Sequence, residues 1–218
     1  MKTESFPVPI PLLPFLCQKL PCPLLLIPTH PLPTFAASME TTLDLPVVAD
    51  QHAFNLERWE EICADPVLAA LDHRIETDRF GHPIMMPPPG FDHGDHQFTI
   101  GLHLRRLMMG GKVVTECPVS TADGVKGVDV VWISSARLAE ARRNNVLVRA
   151  PEICVEVISP GNTRDEIETK KRLYFAAGAD EVWLGGMNGR MTFFCQAAPA
   201  QARESSPLCP EFPALLGE

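Results

Sequence analysis

The stretch that decides the fold is Glu152-Ile153-Cys154-Val155-Glu156-Val157-Ile158, which Ser159-Pro160 ends. Its apolar, mostly β-branched residues predict a strand, in which Cys154, Glu156 and Ile158 lie on one face and the remaining apolar side chains on the other. An unpaired carboxylate is costly to bury, so we expect a cation, a hydrogen-bond donor or water beside Glu156. The alternative is that this face of the strand is solvated.

Strands and helices alternate on both sides of this run. The predicted strands are Lys112–Cys117, Gly127–Ile133, Glu181–Leu184 and Arg190–Cys195. The predicted helices are Ser135–Asn144 and one that Asn162 or Thr163 caps and that runs to about Ala177. Strands separated by helices predict an α/β domain with a mixed central sheet flanked by helices.

The first half of the chain is predicted to contain short helices, a hairpin and a longer helix. Apolar spacing from Asn55 predicts a helix, which Asp65-Pro66 interrupts before Val67–Leu71 continues. The following predicted elements are hairpin strands at Arg74–Asp78 and Pro83–Met86 and a helix from about Asp95 to Met109.

Proline marks the ends of the predicted domain. Nine of the 22 prolines precede Met39, and proline removes backbone donors and fixes φ. We therefore predict a disordered, proline-rich extension at residues 1–38 and one domain at residues 39–196. Residues 197–218, which also contain proline, are predicted to be a loose C-terminal tail.

Composition excludes several classes of protein. No run reaches the roughly 18 uninterrupted apolar residues of a membrane span, so we expect no membrane partner. A formal net charge of -8 argues against broad electrostatic adhesion to nucleic acid. The chain has seven cysteines, an odd number, and no Cys-x-x-Cys motif. This pattern is typical of a cytoplasmic protein whose cysteines are reduced.

Three common enzyme classes lack their signatures. The chain has no Gly-x-Ser-x-Gly, no phosphate loop ending in Gly-Lys-Ser/Thr, and no Gly-x-Gly-x-x-Gly after a strand. The usual sequence evidence for a serine hydrolase, a P-loop nucleotidase or a Rossmann dehydrogenase is therefore absent.

A second carboxylate, Asp129, lies near the start of the predicted strand Gly127–Ile133. Oxygen ligands from neighbouring strands suit Mg²⁺, which commonly takes one or two carboxylates and completes its shell with water and phosphate. Asp129 and Glu156 could converge on such an ion. Alternatively, Asp129 is only a turn residue at the start of the strand.

Lys170 allows two interpretations. Glu166 and Lys170 are four residues apart on one predicted helix and could form a surface ion pair. With Glu156 only a short turn away, Lys170 could instead project its ammonium group over a metal site, where it would stabilise charge on phosphate.

His93 and His96 form a His-x-x-His pair near a predicted helix start. This spacing can bind zinc, but no third ligand follows at a recognisable spacing. The pair is therefore a weak signal for structural zinc.

Three motifs in this order resemble a known family. They are Pro151–Pro160 with its Glu-Val-x-Ser-Pro pattern, Lys170 with Leu173-Tyr174, and Gly178-Ala179-Asp180-Glu181-Val182-Trp183. The sequence resembles the Uma-two family of the restriction-endonuclease-like PD-(D/E)XK superfamily. The resemblance extends from about Leu56 to Cys195 and takes in Glu76 of the early hairpin and His96.

The resemblance implies a metal-dependent phosphodiesterase-like site on a restriction-endonuclease-like fold. It implies Asp129 and Glu156 as Mg²⁺ ligands, Lys170 as the catalytic lysine and Glu76 as an accessory acid. The wider superfamily has its lysine two residues after the strand glutamate, where this chain has Ile158, and the family pattern moves it onto the next helix. Two positions depart from that pattern, since Val128 replaces a proline and Glu166 replaces an aspartate.

These observations predict an endonuclease that hydrolyses DNA phosphodiester bonds with Mg²⁺, or with Mn²⁺ in its place. The alternative is a non-catalytic module for binding nucleic acid or protein that retains the nuclease fold. Exposed edge strands would allow a homodimer.

Overall fold

The computed structural model describes residues 48–71 and 73–217. The extension predicted for residues 1–38 therefore lies outside the described residues. Within the described ranges, no helix combines the length and apolar character needed to cross a membrane.

The first half of the described chain contains three helices and a two-stranded hairpin. They are α1 (Gln51–Ala64), α2 (Pro66–Ala69), β1 (Arg74–Thr77), β2 (Pro83–Met86) and α3 (Phe91–Leu107). The predicted break at Asp65-Pro66 is confirmed, because the Asp65 side chain accepts hydrogen bonds from the first amides of α2 and Pro66 occupies its first turn. The predicted hairpin is confirmed as the antiparallel pair β1–β2.

The rest of the chain builds a central sheet with two helices. Its elements are β3 (Gly111–Thr121), β4 (Gly124–Ser134), α4 (Ser135–Ala141), β5 (Arg142–Arg143), β6 (Val146–Leu147), β7 (Ile153–Ile158), α5 (Arg164–Ala176), β8 (Glu181–Gly186), β9 (Met191–Cys195) and β10 (Ala198–Arg203). The strand order is β10-β9-β8-β7-β4-β3-β6-β5. Strand β7 pairs in parallel with β8 and antiparallel with β4, so the predicted mixed α/β sheet is confirmed.

Two hydrophobic cores cover the two faces of this sheet. Cys154 of β7 packs with Tyr174 and Phe175 of α5 in one core. Its neighbours Ile153, Val155 and Val157 pack in the other core, which includes residues of α3. The alternation predicted for β7 is therefore confirmed, and Glu156 is buried rather than solvated.

Two predicted helix boundaries need correction. The helix predicted at Ser135–Asn144 ends at Ala141, after which the chain forms the short strands β5 and β6. The helix predicted from about Asp95 begins at Phe91, directly after Gly90. Asp92 lies in its first turn, where the helix dipole favours negative charge.

The segment after Gln196 differs from the predicted loose tail. Residues Ala198–Arg203 form β10, which pairs antiparallel with β9. Beyond it, Cys209 and Phe212 are buried in the core on the α3 side. Proline suggested disorder, but aromatic contacts with distant residues order this segment.

Candidate functional site

The candidate site lies where β4 and β7 separate. Their antiparallel pairing includes Val130 opposite Val155, and Asp129 is the next residue of β4. There the Val157 amide donates to Asp129 Oδ2 at 2.7 Å instead of to a backbone carbonyl. A carboxylate thus satisfies an amide that the ladder leaves free, which explains how Asp129 can be 1% exposed within the sheet.

On its other side, Asp129 faces Glu116 of β3. Thr115 pairs with Val130 and Cys117 with Val128, so the register sets Glu116 opposite Asp129. Glu116 has φ of 50°, a left-handed conformation that costs a residue with a side chain on the order of 1 kcal/mol. The side chain of this strained residue turns toward Asp129.

One arginine joins these two carboxylates. Arg74 Nη1 donates to Asp129 Oδ1 and to Glu116 Oε2, each at 2.8 Å. Gln97 of α3 reaches the same two acids, at 2.6 Å to Glu116 Oε1 and 3.2 Å to Asp129 Oδ1. Burial raises the pKa of Asp129, but His93, the Val157 amide and Arg74 together lower it below the ordinary aspartate value.

The second half of the site centres on Lys170 of α5. Lys170 Nζ donates to Glu76 Oε1 and to Glu156 Oε2, each at 3.1 Å. Tyr174, one helical turn further, donates its hydroxyl to Glu156 Oε1 at 2.6 Å. The structure therefore brings Glu76, Glu156 and Lys170 together, and Arg74 lies between Glu76 and Asp129.

In this cluster, burial shifts the pKa of Glu156 and of Lys170 in one direction, and the oppositely charged neighbour shifts it in the other. Burial raises the pKa of Glu156 to about 7, even though Lys170 and the Tyr174 hydroxyl favour its ionised form. Burial lowers the pKa of Lys170, but Glu156 and Glu76 outweigh it and hold that pKa above its usual range. Lys170 is therefore an ammonium group at neutral pH, and Glu156 can gain or lose a proton there.

The hairpin and α5 hold these side chains in place. The Gly127 amide donates to Glu76 Oε1 at 3.3 Å, and the Val125 amide donates to Thr77 Oγ1 at 2.8 Å, which fixes β1 against β4. At the start of α5, Thr163 and Glu166 form a reciprocal capping box. Glu166 thus caps the helix, and the interpretation of Glu166 and Lys170 as a surface ion pair is wrong.

Of the two histidines in the His-x-x-His pair, only His93 reaches the site. His93 Nε2 lies 3.4 Å from Asp129 Oδ1, and this contact raises the pKa of His93 more than burial lowers it. The distance and geometry make it an electrostatic contact rather than a directed hydrogen bond, because this buried nitrogen has no hydrogen-bond partner. His96 instead contacts the Asp92 carbonyl through Nδ1 at 2.7 Å.

A metal ion would find suitable donors around Asp129. One ligand atom each from His93, Glu116 and Asp129 lies within 4.8 Å of the others. Two carboxylates and an imidazole suit a divalent cation such as Mn²⁺, and the buried, unpartnered His93 nitrogen is available to one when neutral. Arg74 bonds the same carboxylates, so an ion bound here would compete with its guanidinium group.

Sequence reasoning missed three of the residues at the site. Arg74 carried no signal beyond its place at a strand start, and neither Gln97 nor Glu116 belongs to a recognised motif. Only the long-range pairing of β3 with β4 shows that Glu116 faces Asp129. His93 had a signal in its His-x-x-His spacing, but the partners that complete its site are far away in sequence.

A cleft of about 540 Å³ gives access to these groups. Asp129, Glu156 and Lys170 lie on its charged wall. Its opposite, largely apolar wall comes from β2 and the turn that follows, and it includes Ile84, Met86 and Pro87–Pro89. A concave site with a few converging polar groups is the usual form of a ligand or substrate site.

A comparison with known proteins identifies a family whose model matches this chain. A family model described as "Putative restriction endonuclease" (Uma2) matches residues 57–215. Among solved structures, a "putative nuclease belonging to DUF820" from Anabaena variabilis is similar, with 16% identity over 65% of this chain and 87% of that chain and a TM-score of 0.49. No curated protein matches. Because the family model spans most of the chain and agrees with the motifs around Glu156, Lys170 and Glu181, this protein belongs to the Uma2 family of restriction-endonuclease-like proteins.

Proposed function

We propose that this protein is a divalent-metal-dependent endonuclease that hydrolyses DNA phosphodiester bonds in the cleft beside Asp129. The observation that carries the proposal is the position of Lys170, whose ammonium group lies 3.1 Å from both Glu76 and Glu156 at the wall of that cleft. A nuclease role agrees with the family. The requirement for metal and the choice of DNA over RNA are part of the proposal.

In this proposal, Asp129 and Glu156 would hold Mg²⁺ or Mn²⁺. His93 and Glu116 would offer further ligand atoms beside Asp129. When bound, such a cation supplies Lewis acidity and neutralises phosphate charge. The positive charge of the cation would also offset the protein's net charge of -8, because without a cation the cleft would repel a phosphate group.

The protein's own groups have separate tasks. Lys170 keeps a positive charge at Nζ and stabilises the charge that develops on the phosphate. Tyr174 fixes Glu156 through Oε1, so that Oε2 faces Lys170. Without a cation, burial raises the pKa of Glu156 to about 7, and a cation held by Glu156 would displace that proton. Glu76 holds Lys170 from the other side.

A reducing, cytoplasmic location belongs to the same proposal. The five cysteines within the described ranges are free thiols, and Cys117 and Cys154 are buried among apolar side chains. Such thiols pack as small apolar groups, which is typical of proteins from reducing compartments.

Plasmid nicking tests the proposal. The purified full-length chain is incubated with supercoiled plasmid and Mg²⁺ or Mn²⁺, beside Glu156→Gln and Lys170→Ala. Arg172→Ala is the matched control, because it removes one positive charge from an exposed position of the same helix. We expect nicking by the wild type and the control, none in chelator, and a fall of at least about 100-fold in both site variants.

Two outcomes would contradict the proposal. Equal nicking by all four proteins would identify a contaminating nuclease. An absence of nicking, with no heat of Mn²⁺ binding in calorimetry, would favour the alternative of a non-catalytic binding module that retains the fold.

A further inference from the structure

Helix α3 exposes an apolar stripe on the face that points away from the sheet. Phe91 is 88% exposed, Phe98 is 67% exposed and Leu102 is 36% exposed. Spacings of seven and four residues put these side chains on one side of the helix. Ile100 and Leu104, on the opposite side, are fully buried against the sheet.

Two charged residues of opposite sign lie on the same side of the helix, one before Phe98 and one after Leu102. Asp95 lies one turn before Phe98 and Arg105 lies one turn after Leu102, and both are exposed. Neither forms a salt bridge within the described ranges, although Arg105 Nη1 donates to the Gly111 carbonyl at 3.2 Å. The guanidinium group has five donors, so most of them remain free for another partner.

The order of these residues is self-complementary for two antiparallel copies of α3. A two-fold axis level with Ile100 would put Phe98 opposite Leu102 of the second copy and Asp95 opposite its Arg105. The same axis puts Phe91 opposite Met109, which is 84% exposed just beyond the end of the helix. Antiparallel packing also brings together helix ends of opposite partial charge.

We infer that the protein forms a two-fold symmetric homodimer through this exposed face of α3. Large apolar side chains gathered on one exposed helix face mark an interaction surface. A second copy is the occupant because a two-fold interface must be complementary to itself, and one helix here supplies both the apolar and the charged partners. The inference does not depend on nuclease activity.

Sedimentation equilibrium of the full-length chain tests this surface. We expect a dimer for the wild type and a dissociation constant raised at least about 30-fold in Phe98→Glu, because a central aromatic side chain commonly dominates such an interface. Val67→Glu is the control, since Val67 is 69% exposed on α2, and we expect its dissociation constant to stay within about threefold of wild type. Circular dichroism should show that all three proteins are folded.

A charge exchange tests the register. Asp95→Arg alone puts two arginines together at both ends of the interface, and Arg105→Asp alone puts two aspartates together. Each variant should be more monomeric than wild type, but a one-to-one mixture should form a heterodimer in which both pairs are again opposite in charge, one in the native orientation and one reversed. A monomeric wild type, or a dimer that Phe98→Glu leaves intact, would overturn the proposed surface, and a mixture that stays monomeric would overturn the register.

Discussion

Glu156 is a buried carboxylate with a proposed role at the site, and burial disfavours the ionised form that this role needs. Burial raises its pKa from 4.5 to about 7, so the folded protein holds a proton that the unfolded chain releases between those values. The folded state therefore loses stability as pH rises from about 4.5 to about 7. Lys170 and Tyr174 reduce this loss but do not remove it.

We expect Glu156→Gln to become more stable relative to wild type as pH rises. Glutamine keeps the shape and cannot ionise, so the stability difference should shift in its favour by about 2 kcal/mol between pH 5 and pH 8. Urea unfolding at the two pH values, in chelator, measures it. His93 also has a raised pKa but is present in both proteins, so its titration cancels in the difference.

The matched control for this experiment is Glu57→Gln, which removes an exposed carboxylate from α1. Its stability difference from wild type should be the same at both pH values. If Glu156→Gln also showed no dependence on pH, Glu156 would be ionised in the folded protein as readily as in the unfolded chain, and burial would not raise its pKa.

At the scale of elements, the segment after β10 is held by one buried carboxylate and an aromatic cluster. Glu181 accepts hydrogen bonds from Ser206 Oγ at 2.6 Å, the Leu208 amide at 2.8 Å and Trp183 Nε1 at 2.7 Å. Phe212 lies against Trp183, with ring centroids 4.6 Å apart. The Gly-x-x-Glu-x-Trp motif thus fastens the C-terminal segment to the sheet.

Phe212→Ala should destabilise the fold by about 3 to 4 kcal/mol, because it leaves a cavity beside Trp183 and Phe193. Urea unfolding monitored by tryptophan fluorescence measures the loss. Leu215→Ala is the control, since Leu215 is 62% exposed, and it should cost less than about 0.5 kcal/mol. Equal effects of the two substitutions would mean that the segment contributes little to the core.

The same elements show how far the sequence predicts this structure. Alternation in β7 and the cap at Thr163 are local patterns, so the strand, the helix and the central sheet followed from them. The packing of Phe212 and the meeting of Glu116 with Asp129 depend on contacts between distant residues, which leave no local pattern. Strand and helix patterns pointed to Asp129, Glu156 and Lys170, and the family resemblance added Glu76. Arg74 and Gln97 needed the fold.

For the whole molecule, charge sets how it can meet a polyanion. Its formal net charge is -8, and the three lysine and arginine side chains that line the cleft form ion pairs within the protein. Arg74 pairs with Asp129, Lys126 with Asp123 at 3.1 Å, and Lys170 with Glu156. Few positive groups in the cleft are free to replace the counterions of DNA, so binding should release few of them.

We therefore expect nicking to depend only weakly on salt. With plasmid below saturation and Mg²⁺ held constant, the rate should fall less than about tenfold from 50 to 200 mM NaCl, whereas a protein with 6–10 phosphate contacts would lose about 10³- to 10⁵-fold in affinity. A thousandfold fall would require DNA contacts by cations outside the cleft, and Arg142 and Arg143 are exposed candidates. In that case Arg142→Ala with Arg143→Ala should flatten the salt dependence, and the charge that recognises DNA would lie on the protein surface instead of in the cleft.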